Sequence, residues 1–280
     1  MTIDTPKHLL ICNESSGSSI TNYGSAGTAY TVNRGSSGTD YKWHNGAGSY
    51  DGYYEGVTAG GSSTPYGTTT GTQSTTPATV CFAAGFRLAS PLNNSVATIF
   101  GFGATDLGNG IRVRCVDDGA GGFDLIPYLS STTGASVSCT LAASGLTFNT
   151  DYFVSGMVDF GDITNVAMRC KLSGNAVVPG SGTGNWTGEL FTVDQPTFAA
   201  TYDDVANSNI RGLTGFIYYW AYWLGGNAFS DTDMANINTS PKTYIPNWPG
   251  GTTSTIAFGT SLLQRETSIT LQTRGTSSTG

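Results

Sequence analysis

The chain has 280 residues, a net charge of −7 and 11% charged residues, less than half of the roughly 25% typical of globular proteins. So few charges exclude a coiled coil or a charge-rich disordered chain, and the acidic balance argues against a nucleic-acid binder, which needs a basic surface. The 39 glycines, together with abundant Ser and Thr, favour an all-β protein with many turns.

The first third, residues 1–77, is interrupted every few positions by Gly and Ser, which predicts loops and short strands. Residues 1–11 lack the long apolar core of a secretory signal, so we expect synthesis in the cytoplasm. Tyrosines recur through this third of the chain. We expect their rings to anchor the loops to a sheet.

From residue 78 onward the dominant signal is the alternation of apolar and polar residues. In residues 111–116, for example, Arg112 and Arg114 fall on the face opposite to Ile, Val and Cys. This pattern predicts a sheet with one buried and one solvent-exposed face. The segment 213–224 is apolar on both faces and is therefore predicted to be a central strand. About ten strands at this spacing indicate a β-sandwich or jelly roll. The clearest predicted strands are 78–89, 96–102, 111–116, 123–129, 151–160, 165–172, 189–193 and 213–224.

One helix is predicted, over residues 230–237. Ser230 followed three residues later by Asp233 matches a capping box, and Pro241 is expected to end the helix. Beyond it, residues 248–280 contain almost no aromatic residues and two short alternating runs. We therefore predict a sandwich over residues 1–247 and an appended arm or hairpin over residues 248–280.

The order of these segments resembles the concanavalin A-like lectin/glucanase superfamily, and the laminin-G-like domains in particular. The resemblance covers roughly residues 8–245. It rests on the strand-turn-strand segment 146–177 with its corner at Leu172-Ser173-Gly174, and on a closing strand followed by a helix that starts with Ser230-Asp231. It implies an antiparallel sandwich. The chain departs from the family where Met234-Ala235 replace an acidic and an apolar residue of the helix.

Catalysis by the glucanase route is not expected, because it needs acidic residues that alternate on one strand. The chain has four glutamates, and none has a second acid two or four residues further on. Neither of the two histidines lies near a nucleophile-elbow motif. The sequence therefore predicts a protein that is not an enzyme, with a lyase or hydrolase on this fold as the alternative.

Metal and thiol chemistry receive little support from the sequence. The five cysteines are widely spaced and form no CxxC pair, so we expect buried structural thiols and no cofactor. Some laminin-G-like domains hold Ca²⁺ with loop carboxylates at the sandwich rim. On that resemblance, Asp203 and Asp204 are the candidate Ca²⁺ ligands, although paired aspartates are also common turn formers.

The strongest binding candidate is a Gly-rich loop that combines aromatic and acidic side chains. Sugars stack their CH faces on aromatic rings, while acids and amides accept hydrogen bonds from their hydroxyl groups. The candidate carbohydrate-binding residues are Trp43, Tyr50, Asp51, Tyr53 and Tyr54. The alternative reading is that these rings only anchor loops to the sheet.

The leading hypothesis is a non-catalytic structural and adhesive protein of a bacteriophage virion, such as a capsid decoration or tail-fibre protein. Cytoplasmic synthesis, a charge-poor surface and a strand-like C-terminal arm favour it. Its expected partners are other virion proteins, copies of itself and glycans, with neither nucleic acid nor membrane. A stand-alone carbohydrate-binding lectin module is the second hypothesis.

Overall fold

The computed structural model describes residues 3–33, 41–45, 52–56, 66–68, 72–73, 77–89, 96–103, 110–131, 134–187, 193–194, 197–199 and 213–250. Two helices close this part of the chain, α1 (Asp231–Thr239) and α2 (Pro241–Tyr244). The strands, in chain order, are β1 (His8–Leu10), β2 (Ser19–Ile20), β3 (Tyr30–Asn33), β4 (Tyr41–Asn45), β5 (Gly52–Gly56), β6 (Tyr66–Thr68), β7 (Thr72–Gln73), β8 (Thr79–Leu88), β9 (Val96–Gly103), β10 (Gly110–Asp117), β11 (Phe123–Ser130), β12 (Ser136–Ser138), β13 (Leu141–Leu146), β14 (Tyr152–Asp159), β15 (Ala167–Leu172), β16 (Val177–Pro179), β17 (Ser181–Thr183), β18 (Val193–Asp194), β19 (Thr197–Phe198) and β20 (Gly215–Leu224).

Two large sheets contain most of these strands. Sheet A has the order β16-β15-β14-β8-β20-β5-β4, with β1 also paired to β20. Sheet B has the order β17-β12-β11-β10-β9-β19-β6-β3-β2, with β13 also paired to β11. The pairings within both sheets are antiparallel, for example β8 with β14 and β10 with β11. The predicted antiparallel β-sandwich is confirmed, while the predicted arm lies almost wholly in residues 251–280, outside the described part of the chain.

The main core lies between the two sheets and is built largely from aromatic rings. Phe82 on β8 meets Phe100 on β9 with ring centroids 5.5 Å apart, and Phe100 meets Trp220 on β20 at the same distance. All three side chains are completely buried. The predicted alternation in β8 is confirmed, because Val80, Phe82 and the apolar residues at every second position point into this core.

A second cluster covers part of the outer face of sheet A. Here Ala83 on β8 and Tyr219 on β20 pack with residues of α1 and of the segment that follows it, including Met234 and Trp248. Strand β20 is therefore buried on both faces, as its sequence predicts. Within the described ranges, no helix has the length and apolarity needed to cross a lipid bilayer.

Arg112, which the sequence predicts to face water, and Arg169, in another strand of alternating residues, are both held by neighbouring groups. Arg112 is only 3% exposed and donates from Nη1 to the Ser130 hydroxyl at 2.7 Å. Arg169 on β15 donates to an Asp231 carboxylate oxygen at 2.8 Å and to the Phe229 carbonyl at 2.7 Å. The alternation correctly places both arginines on the face opposite to the apolar side chains of their strands. It cannot show that α1 packs beside Arg169.

The predicted capping box at the start of α1 is confirmed. The Ser230 hydroxyl accepts a hydrogen bond from the Asp233 amide at 3.1 Å, and an Asp233 carboxylate oxygen accepts one from the Ser230 amide at 2.8 Å. The helix ends at Thr239, before Pro241 as expected. Pro241 then begins α2, because proline is well tolerated at the first position of a helix.

Replacing Ser230 by Ala is expected to lower the free energy of unfolding by about 1 kcal/mol, since the Asp233 amide loses its acceptor. Chemical denaturation followed by circular dichroism measures this loss. Thr232→Ala is the control, because Thr232 is exposed on the same helical turn, and it should change stability by less than about 0.5 kcal/mol. Equal losses for the two variants would contradict the assigned capping role.

Candidate functional site

A row of polar and aromatic side chains crosses the outer face of sheet A beyond the part covered by α1. Phe216 on β20 pairs in register with Arg87 on β8 and with Glu55 on β5, and Glu55 pairs with Lys42 on β4. Asp151, just before β14, accepts a hydrogen bond from the Arg87 Nε at 2.6 Å and extends the row. Register partners share one face of a sheet, so these five side chains stand side by side.

Aromatic rings pack beside this row. The Tyr53 and His44 rings, on paired strands β5 and β4, stack with centroids 4.2 Å apart and an interplanar angle of 14°. Tyr53 also meets Phe216 edge-on at 4.9 Å and Tyr218 at 5.9 Å. We call the whole group the outer-face cluster; its members are Lys42, His44, Tyr53, Glu55, Arg87, Asp151, Phe216 and Tyr218.

A glycine marks the border between the cluster and the covered part of sheet A. A Cβ atom on Gly85 would lie 2.8 Å from the Phe153 ring and 2.9 Å from the Tyr219 ring. Without a side chain at position 85, these two rings stack across β8, with centroids 6.4 Å apart. Tyr219 in turn contacts the Trp248 ring at 5.2 Å. The segment after α2 therefore covers the sheet up to Tyr219, next to the cluster.

One ion pair and one histidine–carboxylate contact fix the polar side chains of the cluster. The Arg87 guanidinium bonds to Asp151 and lies over the Phe216 ring, 5.4 Å from its centroid, while the Tyr218 hydroxyl donates to the same Asp151 oxygen. The second contact joins the His44 Nε2 to a Glu55 carboxylate oxygen at 2.5 Å. These contacts hold the donors and acceptors in fixed orientations at the edge of the aromatic rings.

The pKa values of the cluster follow from these contacts. Partial burial raises the pKa of the Asp151 carboxyl, but the hydrogen bonds from Arg87 and Tyr218 outweigh it, so the net shift is downward. The hydrogen bond to Asp151 raises the pKa of Arg87. Burial, with a smaller contribution from the Glu55 charge, raises the pKa of Tyr53. Arg87 is thus cationic, Asp151 anionic and Tyr53 a neutral phenol at neutral pH.

The lowered pKa of Asp151 predicts a pH-dependent contribution to stability. Its ionised form favours folding, so the contribution is complete above its ordinary pKa of 3.8 and is lost as the pH falls through the lower folded value. The side chain is 36% exposed, and solvent screening limits the effect to about 1 kcal/mol or less. Asp151→Asn should lower stability at pH 7, and denaturant titrations should show this deficit shrinking as the pH falls below 3.8 and vanishing below the lower folded pKa. A deficit that is unchanged at low pH would contradict the ion-pair account.

The structure distributes the sequence-predicted sugar-binding residues over both faces of sheet A. Tyr53 belongs to the outer-face cluster. Tyr54 is completely buried in the inter-sheet core, and Trp43 packs against that core, half-buried, with its indole N–H donating to the Gly17 carbonyl at 2.9 Å. Adjacent residues of a strand point to opposite faces, so Tyr53 and Tyr54 cannot share one surface. Tyr50 and Asp51 lie outside the described residues.

Sequence reasoning missed most of the cluster. Arg87, Asp151 and Phe216 come from three separate segments that form sheet neighbours only after folding. One signal is available in the sequence, because Arg87 is the single charged residue of strand β8. A charge at that position points to a specific partner or to solvent on the outer face.

The candidate Ca²⁺ ligands Asp203 and Asp204 lie outside the described residues. Among the residues whose placement is described, no three His, Cys, Asp or Glu side chains come together in a way that could hold a metal ion. The outer-face cluster itself offers only two carboxylates: Asp151 is paired with Arg87, and Glu55 contacts the His44 ring.

No protein-family model and no curated protein matches the chain. Solved structures do match in fold. The binding domain of botulinum neurotoxin DC, in complex with rat synaptotagmin II, aligns with a TM-score of 0.59 at 12% identity and covers 85% of this chain and 52% of the toxin chain. The same domain in complex with SialylT aligns with a TM-score of 0.58 at 12% identity, covering 85% and 52%.

A third structure is that of botulinum neurotoxin type C, a toxin whose cell entry is dependent upon interaction with two ganglioside molecules. It aligns with a TM-score of 0.58 at 12% identity and covers 85% of this chain and 51% of the other. The chain thus spans about half the length of these neurotoxin chains. At this level of identity, the comparison shows a shared β-sandwich fold. It gives no support for a virion origin.

Proposed function

We propose that the chain is a non-catalytic carbohydrate-binding module and that the outer-face cluster is its glycan site. The observation that carries the proposal is the Tyr53 ring, which is half-buried and is flanked by the His44–Glu55 and Arg87–Asp151 pairs. Aromatic rings suit the apolar CH faces of sugars, and fixed charged groups suit their hydroxyls. Two fold likenesses support this function: one to a neurotoxin binding domain in complex with SialylT, and one to a neurotoxin whose cell entry is dependent upon interaction with two ganglioside molecules.

The shape of the cluster favours a glycan chain over a single terminal sugar. The row from Asp151 to Lys42 crosses five strand positions, and a spacing of about 4.8 Å between strands gives it a length of about 19 Å. Several consecutive pyranose rings fit this length. We therefore propose that an oligosaccharide lies across the strands, with sugar faces on Tyr53 and Phe216.

The spacing of the two carboxylates in the row argues against hydrolysis by an acid pair. Three strand spacings separate Asp151 from Glu55, or about 14 Å at the usual 4.8 Å. Glycosidases place their two carboxylates roughly 5–9.5 Å apart. We therefore assign Asp151 and Glu55 to binding, as hydrogen-bond acceptors for sugar hydroxyls.

A glycan array followed by calorimetry with oligosaccharides of increasing length tests the proposed function. We expect binding to at least one glycan class, with affinity that rises over the first few sugar units and then reaches a plateau. Each positive glycan is then incubated with the protein and analysed for shortened or unsaturated products. No binding on the array would overturn the proposal, and products of cleavage would favour the lyase or hydrolase alternative.

For the setting in which the module works, we propose a bacteriophage virion. A charge-poor sequence rich in Gly, Ser and Thr supports this assignment, as does the pair of alternating runs in residues 251–280, suited to docking on capsid or tail proteins or on further copies of the chain. Mass spectrometry of purified virions tests it. A fixed copy number relative to the capsid protein is expected, whereas absence from the particle would favour the stand-alone module.

A further inference from the structure

Two thiols from opposite sheets approach each other in the core. Cys139 follows β12 of sheet B, Cys170 lies in β15 of sheet A, and both are completely buried. The Cys139 Sγ lies 3.5 Å from the carbonyl oxygen of Val178, and Val178 is the register partner of Cys170. Register partners on antiparallel strands have Cα atoms about 4.5–5.5 Å apart, so the Cys139 side chain reaches the position of Cys170.

The pKa of the Cys170 thiol is consistent with this approach. Burial raises the pKa of the Cys170 thiol, and a hydrogen bond with the Cys139 side chain raises it further. Both cysteines are reduced in the structure. The other three cysteines, Cys12, Cys81 and Cys115, are also buried, and burial is the main cause of the raised pKa of each thiol.

We propose that Cys139 and Cys170 form a disulfide between the two sheets when the chain folds in the presence of a small disulfide oxidant such as oxidised glutathione. The Cys139 thiolate attacks the oxidant, forms a mixed disulfide and releases one glutathione. The Cys170 thiolate then attacks the Cys139 sulfur and releases the second glutathione. Two protein thiols are oxidised to one disulfide, one glutathione disulfide is reduced to two thiols, and the two protons end on the glutathione products.

The bond would connect the sheets at a position where no strand pairing connects them. Cys139 belongs to the sheet B side and Cys170 to sheet A, and the closed loop contains all of β13 and β14. Such a cross-link restricts the unfolded chain and so favours the folded state. The sandwich would therefore be more stable in oxidising surroundings than in a reducing cytoplasm.

The test is to refold the denatured, reduced full chain in a glutathione redox buffer and to map its disulfides by mass spectrometry of peptides prepared without reductant. We expect one cross-linked peptide pair that contains Cys139 and Cys170, with the other three cysteines free. The melting temperature should rise by roughly 5–10 °C and should return to its original value after reduction.

Two variants serve as controls. Cys81→Ala removes a buried thiol of the other cluster and should leave the cross-link and the reversible rise in melting temperature unchanged. Cys139→Ala should abolish both. The disulfide map of the wild-type chain tests the proposed Cys139–Cys170 bond even if a variant folds poorly. Five free thiols after refolding, another pairing, or a lower melting temperature in the oxidised protein would overturn the proposal.

Discussion

Replacing Trp220 by Ala is expected to lower the free energy of unfolding by about 3–5 kcal/mol, the typical cost of removing a fully buried tryptophan. Its ring lies between the sheets and contacts Tyr30 at 5.6 Å, Phe100 at 5.5 Å and Tyr222 at 5.1 Å between centroids. The substitution leaves a cavity where rings of both sheets meet. Because a domain is stable by only about 5–15 kcal/mol, this loss is a large share of the total. Urea titrations followed by circular dichroism measure it.

Trp220→Phe is the matched control for this prediction. Among the described residues, the Trp220 indole N–H has no hydrogen-bond partner, so phenylalanine removes a buried donor as well as some volume. Burying an unpaired donor is unfavourable, and its removal offsets part of the lost packing. We expect a loss of less than about 2 kcal/mol for Trp220→Phe. Similar losses for Ala and Phe would show that Trp220 is not the packing centre of the sandwich.

Replacing Tyr53 by Ala is expected to weaken glycan binding by about thirty-fold, equivalent to about 2 kcal/mol. Tyr53 stacks on His44 and meets Phe216 edge-on, so its loss removes the ring around which the cluster is arranged. Calorimetry with the best glycan from the array measures the change in Kd. A melting curve confirms that the variant is folded.

Two further tyrosine variants separate binding from general effects. Tyr244→Ala removes an aromatic ring that is 41% exposed on α2, outside the cluster, and should leave Kd unchanged. Tyr53→Phe keeps the ring and should weaken binding by only a few-fold. If Tyr53→Ala binds like the wild type, or if Tyr244→Ala is equally impaired, the glycan site lies elsewhere.

The sequence predicts the strands of the second half of the chain well because apolar alternation is strong there. The predicted segments 78–89, 151–160 and 213–224 correspond to β8, β14 and β20. Periodicity reports which side chains share a face, and in an antiparallel sandwich one face must be buried. The helix start at Ser230 was predicted for an equally local reason, since a capping box involves residues only three positions apart.

The site could be predicted only in part, because it depends on which strands become neighbours. Lys42 and Tyr218 lie far apart in sequence, and only the sheet order places β4, β5 and β20 side by side. In the N-terminal third, turns interrupt the alternation, so the register is weakly specified by the sequence. From the sequence, Tyr54 is grouped with Tyr53 because their segment is predicted to be a Gly-rich loop. The segment is strand β5, in which adjacent side chains point to opposite faces, so Tyr54 points into the core.

The crystal structure of the chain with an oligosaccharide selected on the array is the most direct test of the proposed glycan site. We predict sugar rings on the outer face of sheet A, in contact with Tyr53 and Phe216 and hydrogen-bonded to the Arg87–Asp151 pair, with the glycan running across the strands. An oligosaccharide bound at the loops of the sandwich, with the outer-face cluster unoccupied, would contradict the account.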